Sequence, residues 1–321
     1  MSNIKVSVVM GVRGGGSLLG ETLDSVLRQV GVSWELVLVV DGSLDKAAEL
    51  DLERRLREGK DNRIHVLRRP PEGLTRALIA GCEVAKGEYI ARIDVGDRMA
   101  DGRLSRQAEA FDRYPSCVLT ACATQVCGPD WEPLWVTQVR PEGRGAVSML
   151  SSREEACLGW DVPHHGATMF RRQAYRLAGG YRPDFYYGQD WDLWYRLAEH
   201  GDYCPIPDTL YTARLFPSGI SMRKWRQQQK IAACSKGAFL ARRQGADEGH
   251  FLEKARAIRP VGNEKVGLLQ RLSSGGDGSY FIGEALRRHG YPQARRYLCE
   301  SIGTSPLQVR GYVRLLQSFL K

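Results

Sequence analysis

The feature that most constrains this chain is the alternation in its first hundred residues. Continuous apolar runs rich in β-branched residues, KVSVVMGV, WELVLVVDGS, RIHVLRR and YIARIDVGD, are separated by the amphipathic stretches SLLGETLDSVLRQ, DKAAELDLERRLREG and LTRALIAGCEVAKG. A strand that is apolar without alternation has no face to give to water, so it must be covered on both sides. Helices between successive strands supply that cover. The pattern predicts an α/β fold, a mostly parallel sheet flanked by helices. In such open sheets ligands bind beyond the carboxyl ends of the strands, which here are Gly11, Asp41 to Ser43 and Asp94 to Asp97. A site is therefore expected at that edge on topology alone.

Further along, RLSRQAEAFDRYP reads as a helix, CVLTACATQVCG as a strand and PDWEPLWVTQVRPEG as an irregular excursion. HHGATMFRRQAYRLAGGY gives a strand running into a short helix. GQDWDLWYRLAEHG gives a helix with an acidic first turn, and YCPIPDTLYTAR a last strand. This sets a first domain over 1–221 and a helical C-terminal region over 222–321. The hydrophobic share of 43% is enough for one large core and a smaller appendage, and it excludes global disorder.

The net charge of +9, from 46 Lys and Arg against 37 Asp and Glu, is spread along the chain. It gives a modest attraction to anions, whether nucleotide phosphates, anionic lipid or nucleic acid. No recognition motif or aromatic platform accompanies it, so no specific nucleic-acid partner is expected. Cys117, Cys122 and Cys127 are spaced five apart, which fits neither a Cys-x2-Cys zinc site nor a redox pair. No apolar stretch reaches the ~20 residues that span a bilayer, and the start is too short and weakly charged for a secretory signal. A cytoplasmic protein is expected, with possible placement at the inner membrane face left to RKWRQQQKIAACSKGAFLARR. That helix fits packing on the core, basic face in water, better than docking on an anionic membrane.

Five segments, VSVVMGVRGGGSLLGETLDSVLRQ, WELVLVVDGSLD, AKGEYIARIDVGD, HHGATMFRR and GQDWDLWYRL, stand in the order and at the spacing of a known family. Over about residues 4–221 the chain resembles the inverting glycosyltransferases of family 2, which have the Rossmann-like GT-A fold. The resemblance implies transfer of a sugar from a nucleotide-diphosphate donor, UDP first, to a hydroxyl of a glycan, a lipid-linked glycan or a small molecule. It implies donor contacts at Gly11, Val12 and Arg13, where the family carries Pro or Thr and then Asn, and at Asp41, which would accept from the base. Asp94 and Val95 would also line the donor side. Arg76 and Arg214, with Arg13, would supply cations to the departing diphosphate.

The family's Asp-x-Asp-Asp corner is here Asp94-Val95-Gly96-Asp97, with glycine in place of the usual metal ligand. Phe216 stands where a histidine can reach the metal. The resemblance therefore implies a weakly held Mg²⁺ or Mn²⁺ on Asp97 and Asp94, and a metal dependence weaker than is usual for the fold. Asp190, after Gln189 in place of Glu, falls on the catalytic base, because inversion needs a carboxylate to deprotonate the acceptor from the face opposite the leaving group. His164 and His165 fall on the acceptor side, and Trp191 or Trp194 could form a wall for the sugar. Asp192 points elsewhere on the helix. The alternative is a catalytically impaired domain that binds nucleotide sugars or serves as a scaffold, against which the retained Asp41, Asp94 and Asp190 argue.

Overall fold

The computed structural model describes residues 4–59, 62–137, 147–148, 163–217, 225–259 and 277–320. The parallel half of the sheet follows directly from the apolar runs. Strands β1 (Val6–Gly14), β2 (Trp34–Leu44), β3 (Ile64–Arg69) and β4 (Tyr89–Arg92) are linked by helices α1 (Gly16–Leu27), α2 (Lys46–Gly59) and α3 (Leu74–Val84). β1 lies between β2 and β4 and pairs with both in parallel, Val8 opposite Leu36 on one side and Ala91 on the other. β2 pairs with β3 in parallel.

Beyond β4 the sheet turns antiparallel. After the short β5 (Arg98–Met99) and α4 (Arg103–Arg113), β6 (Cys117–Cys127) and β9 (Thr168–Arg171) enter, and β9 pairs antiparallel with both β4 and β6. β10 (Asp202–Arg214) follows, antiparallel to β5 and to β8 (Val147–Ser148). The order is β3-β2-β1-β4-β9-β6-β10-β5. Part of the stretch read as irregular is the strand β7 (Pro133–Thr137), which pairs with β6; residues 138–143 of that stretch lie outside the described residues. α5 (Arg172–Leu177) and α6 (Gln189–Leu197) stand between β9 and β10.

The chain forms two compact units. The first comprises residues 1–124, 136–213 and 230–258, so it includes most of α7 (Trp225–Arg243) and α8 (Gly249–Ala257). Two apolar layers cover its sheet, one containing Val8, Leu23, Leu38 and Leu104, the other Val9, Leu78, Phe170 and Trp194. Helix α7 adds Phe239 to the second layer, stacked on Tyr195 at 4.9 Å, and buries Ile231 and Cys234 against Phe185 and Tyr187. Of the two roles weighed for this basic helix, packing is the one observed.

The second unit comprises residues 125–135, 214–229 and 259–321. Its helices are α9 (Asp277–Arg288), α10 (Ala294–Thr304) and α11 (Val309–Gln317), and α9 and α10 form an apolar cluster of Ile282, Leu286 and Tyr297 with Leu134. Glu284 binds Arg287 and Arg288 and lies 3.5 Å from Arg314, and the hydrogen bond from Arg287 brings its carboxyl down to about 2. No helix among the described residues is long and apolar enough to cross a membrane.

Candidate active site

The floor of the site is the C-terminal edge of β1, β2 and β4. Gly11 and Val12 pair with Val39 and Val40. A Cβ at Gly11 would lie 2.9 Å from Leu74 Cδ1 at the start of α3 and would displace that side chain. Arg13, one residue on, and Arg76, in the first turn of α3, are exposed.

Asp41 follows at the end of β2 and is 5% exposed. Its Oδ1 accepts from the amides of Glu72 at 2.7 Å and Gly73 at 3.1 Å, and Oδ2 accepts from Gly73 at 3.0 Å. These bonds fix the entry to α3, where Gly73 adopts a φ of 96° and a Cβ would meet the Tyr186 ring at 2.7 Å. In this structure Asp41 is therefore a pin for the loop, with both oxygens engaged by backbone.

The Asp94 to Asp97 corner is a β-turn, closed by the Asp97 amide donating to Asp94 O at 3.2 Å. Gly96 is its third residue with φ 97°, the conformation that a type II turn reserves for glycine. An acid at this position would be strained by about 1–3 kcal/mol, which is the physical reason for glycine where the family carries a ligand. Thr22 Oγ1 clasps the turn, accepting from Gly96 N and donating to Asp97 O, both at 2.9 Å. Val95 packs its side chain against the core, which leaves its backbone for any ligand.

Both acids of the corner have partners. Arg92, fully buried in β4, donates to Asp94 Oδ1 at 2.8 Å and also to Val9 O. Burial raises the Asp94 pKa, but opposing positive charge, that of Arg92 first, outweighs it and holds the carboxyl below its ordinary value. Tyr211, on β10, donates to Asp97 Oδ2 at 2.7 Å and accepts from the Asp94 amide at 3.2 Å. Arg103 stacks on the Tyr211 ring at 4.9 Å and donates to Arg92 O and Thr168 O. Among the described residues, no group of three or more His, Cys, Asp or Glu side chains is placed to hold a metal ion.

Asp190 is the second residue of α6, just after Gly188, whose φ of 60° makes the turn into the helix. Its Oδ1 accepts from Trp191 N at 3.0 Å. Burial pushes its pKa up to about 6; backbone hydrogen bonds oppose this, the negative charge of Asp94 adds to it and Arg92 counters it. Asp190, Asp94 and Arg92 thus share one electrostatic environment, although they come from β4 and α6, nearly a hundred residues apart. Asp192 is turned away as expected, bound by Arg196 Nε at 3.1 Å.

The remaining expected residues separate. His164 lies 5.3 Å, ring to ring, from Tyr211, and its buried Nδ1 has no hydrogen-bond partner in the structure described. Burial holds His164 below its ordinary pKa, with Asp94 opposing. His165 does not face an acceptor. It is buried, its Nε2 lies 2.7 Å from Tyr181 Oη, it meets the Trp194 ring edge-on, and burial lowers its pKa to about 3, so it is a neutral core residue. Trp194 is likewise wholly buried, which leaves the half-buried Trp191 as the candidate wall. Arg214, at the end of β10 and in the second unit, stacks on Trp131 at 4.2 Å and Phe216 at 4.9 Å. Sequence reasoning missed Arg92, Tyr211 and Thr22. Only Arg92 left a signal, a charge inside the otherwise apolar strand YIARI.

The family described as "Glycosyl transferase family 2" matches residues 7–177. Among curated proteins, "Uncharacterized protein MT1568" of Mycobacterium tuberculosis is 29% identical over 218 residues, covering 65% of this chain and 66% of that protein. "Putative glycosyltransferase EpsE" of Bacillus subtilis is 29% identical over 204 residues, covering 62% and 69%. The chain thus spans about two thirds of the length of these relatives. Among solved structures, Staphylococcus aureus TarS residues 1–349 in complex with UDP superimposes with a TM-score of 0.55 at 15% identity, covering 98% of this chain and 89% of that one. This likeness shows a shared fold.

Proposed function

This chain belongs to glycosyl transferase family 2 and is a glycosyltransferase, and on that premise we propose that it is an inverting enzyme using a UDP-sugar. The observation that carries the proposal is Asp190, a carboxylate raised to about 6 at the start of α6 and coupled to Asp94 and Arg92 at the strand edge. A base works best when its pKa lies near the working pH, where it is both ionised and basic enough to take a proton. Asp190 takes the proton of an acceptor hydroxyl. The oxygen forms its bond to the anomeric carbon as the bond to the diphosphate breaks, and the electron pair departs with UDP. The acceptor is a hydroxyl of a glycan, a lipid-linked glycan or a small molecule.

On the donor side, Gly11 and Val12 allow the base to approach the backbone, and Asp41 shapes the same pocket by fixing residues 72 and 73. Uridine is supported by the fold shared with the UDP complex of TarS. The exposed cations of Arg13 and Arg76 lie in the strand-end segments and are available to the diphosphate. His164 and Trp191 form the acceptor side. Asp94 and Asp97 each have one oxygen engaged, by Arg92 and Tyr211, and Gly96 offers none. Asp97 and Asp94 would therefore hold a Mg²⁺ or Mn²⁺ only weakly, with the donor diphosphate completing its shell, and no step of the proposed reaction is routed through it.

Asp190→Asn tests the reading. Turnover with UDP-sugars should fall on the order of 10²–10⁴, while UDP affinity by calorimetry stays within about twofold, because the base acts on the acceptor. Near-normal turnover would remove Asp190 from the chemistry, and a parallel loss of UDP affinity would move it to the donor site.

A further inference from the structure

Helix α11 is packed with its apolar side outward. Val309, Tyr312, Val313 and Leu316 recur at helical spacing on one side of the helix, Phe319 and Leu320 follow just past its end, and all are exposed, Val309 at 72%, Leu316 at 68% and Leu320 at 84%. The opposite side makes the contact with the second unit, through buried Gly311, where a Cβ would lie 3.1 Å from Ile302, and through Ser318, whose carbonyl accepts from Arg295 at 3.0 Å. A helix that folds by its small and polar side keeps its strongest apolar surface for something else. Six large apolar side chains exposed within twelve residues, four of them on one side of the helix, exceed the scattered exposure of ordinary surfaces.

The charges beside the arc narrow the choice of occupant. From Ser301 to Lys321 the sequence has no Asp or Glu but carries Arg310, Arg314 and Lys321, of which Arg314 faces Glu284 of α9 at 3.5 Å and leaves Arg310 as the cation beside the apolar side. Arg310 is exposed next to the arc, its guanidinium 4.5 Å from the Tyr280 ring, and Arg295 stacks on Phe319 at 4.1 Å. Two copies joined face to face would bring these like charges together. A surface with an apolar interior and a negative skin satisfies both the apolar arc and the cations that flank it, with the aromatic rings at the boundary. We propose that the outward face of α11 docks on an anionic lipid membrane surface, lying in its plane with Leu316 and its neighbours inserted.

Vesicle co-sedimentation of the full chain provides the test, with phosphatidylcholine vesicles containing or lacking phosphatidylglycerol. Binding is expected to the anionic vesicles and to weaken with salt. Leu316→Glu should lower it roughly tenfold, and Leu316→Trp should raise it. Leu316 is exposed, so Leu316→Glu and Leu316→Trp should both melt like the wild type, which separates a loss or gain of binding from misfolding. No binding to anionic vesicles, or equal binding by wild type and Leu316→Glu, overturns the proposal. So does self-association in sedimentation velocity that Leu316→Glu abolishes while vesicles bind neither form; the face would then serve a second copy.

Discussion

At the scale of single residues, Gly96 and Asp190 show how backbone and burial decide chemistry. An acid at position 96 would be strained by a turn with φ 97°, and the acids at 94 and 97 are drawn into bonds with Arg92 and Tyr211. Asp190 is the reverse case, a carboxylate without a cationic hydrogen-bond partner among the described residues and raised from 3.8 to about 6. A folded pKa above the unfolded one means that the fold holds the proton more tightly than the unfolded chain does. Stability is then lost as pH rises between about 4 and 6, and the cost persists above that range. Asp190→Asn removes this cost while keeping an oxygen for Trp191 N. It should be more stable than the wild type by about 1–2 kcal/mol near pH 8, discounted for partial exposure, with the difference gone below about pH 4. Thermal unfolding at the two pH values checks this. Asp190 was legible in the sequence because an acid after GQ opens a helix at a known place in the family. The core role of His165 was not, because adjacent histidines on a short segment do not reveal which of them faces inward.

At the scale of elements, periodicity identified the helices but not their partners. Helix α7 carries enough Arg, Lys and Gln to suit water or an anionic surface, yet it is held by Ile231, Cys234, Ala238 and Phe239, all buried. Ile231 also sits where a Cβ on Gly188 would come within 2.7 Å of it, so α7 braces the turn that presents Asp190. Ile231→Ala should cost about 2–5 kcal/mol in denaturant unfolding, as for other fully buried aliphatic side chains, and should lower turnover by loosening the start of α6. A loss under 1 kcal/mol would mean that α7 is only loosely seated, in contrast to its packing here. Strand β7 was read as irregular because its five residues follow a tight turn at Gly128 to Trp131, where Trp131 has a φ of 65°, and so short a run carries little alternation.

At the scale of the whole molecule, the parallel half of the sheet was legible because each of its strands is joined to the next by one helix. The antiparallel half was not: β9 joins β4 to β6 by pairings such as Ile90 with Phe170, whose partners lie far apart in the chain and leave no local pattern. Asp94 and Asp190 also lie far apart in the chain, so the site exists only once both halves of the sheet are in place. Its central claim is that Asp190, beside Asp94 and Arg92, takes the acceptor proton in sugar transfer. The pH dependence of turnover for the full chain with a UDP-sugar, followed by UDP release, tests it most directly. The account predicts one acid limb with a midpoint at about 6, absent from the residual activity of Asp190→Asn. Wild-type turnover that stays flat well below that midpoint, or an Asp190→Asn variant that keeps the same limb, would contradict it.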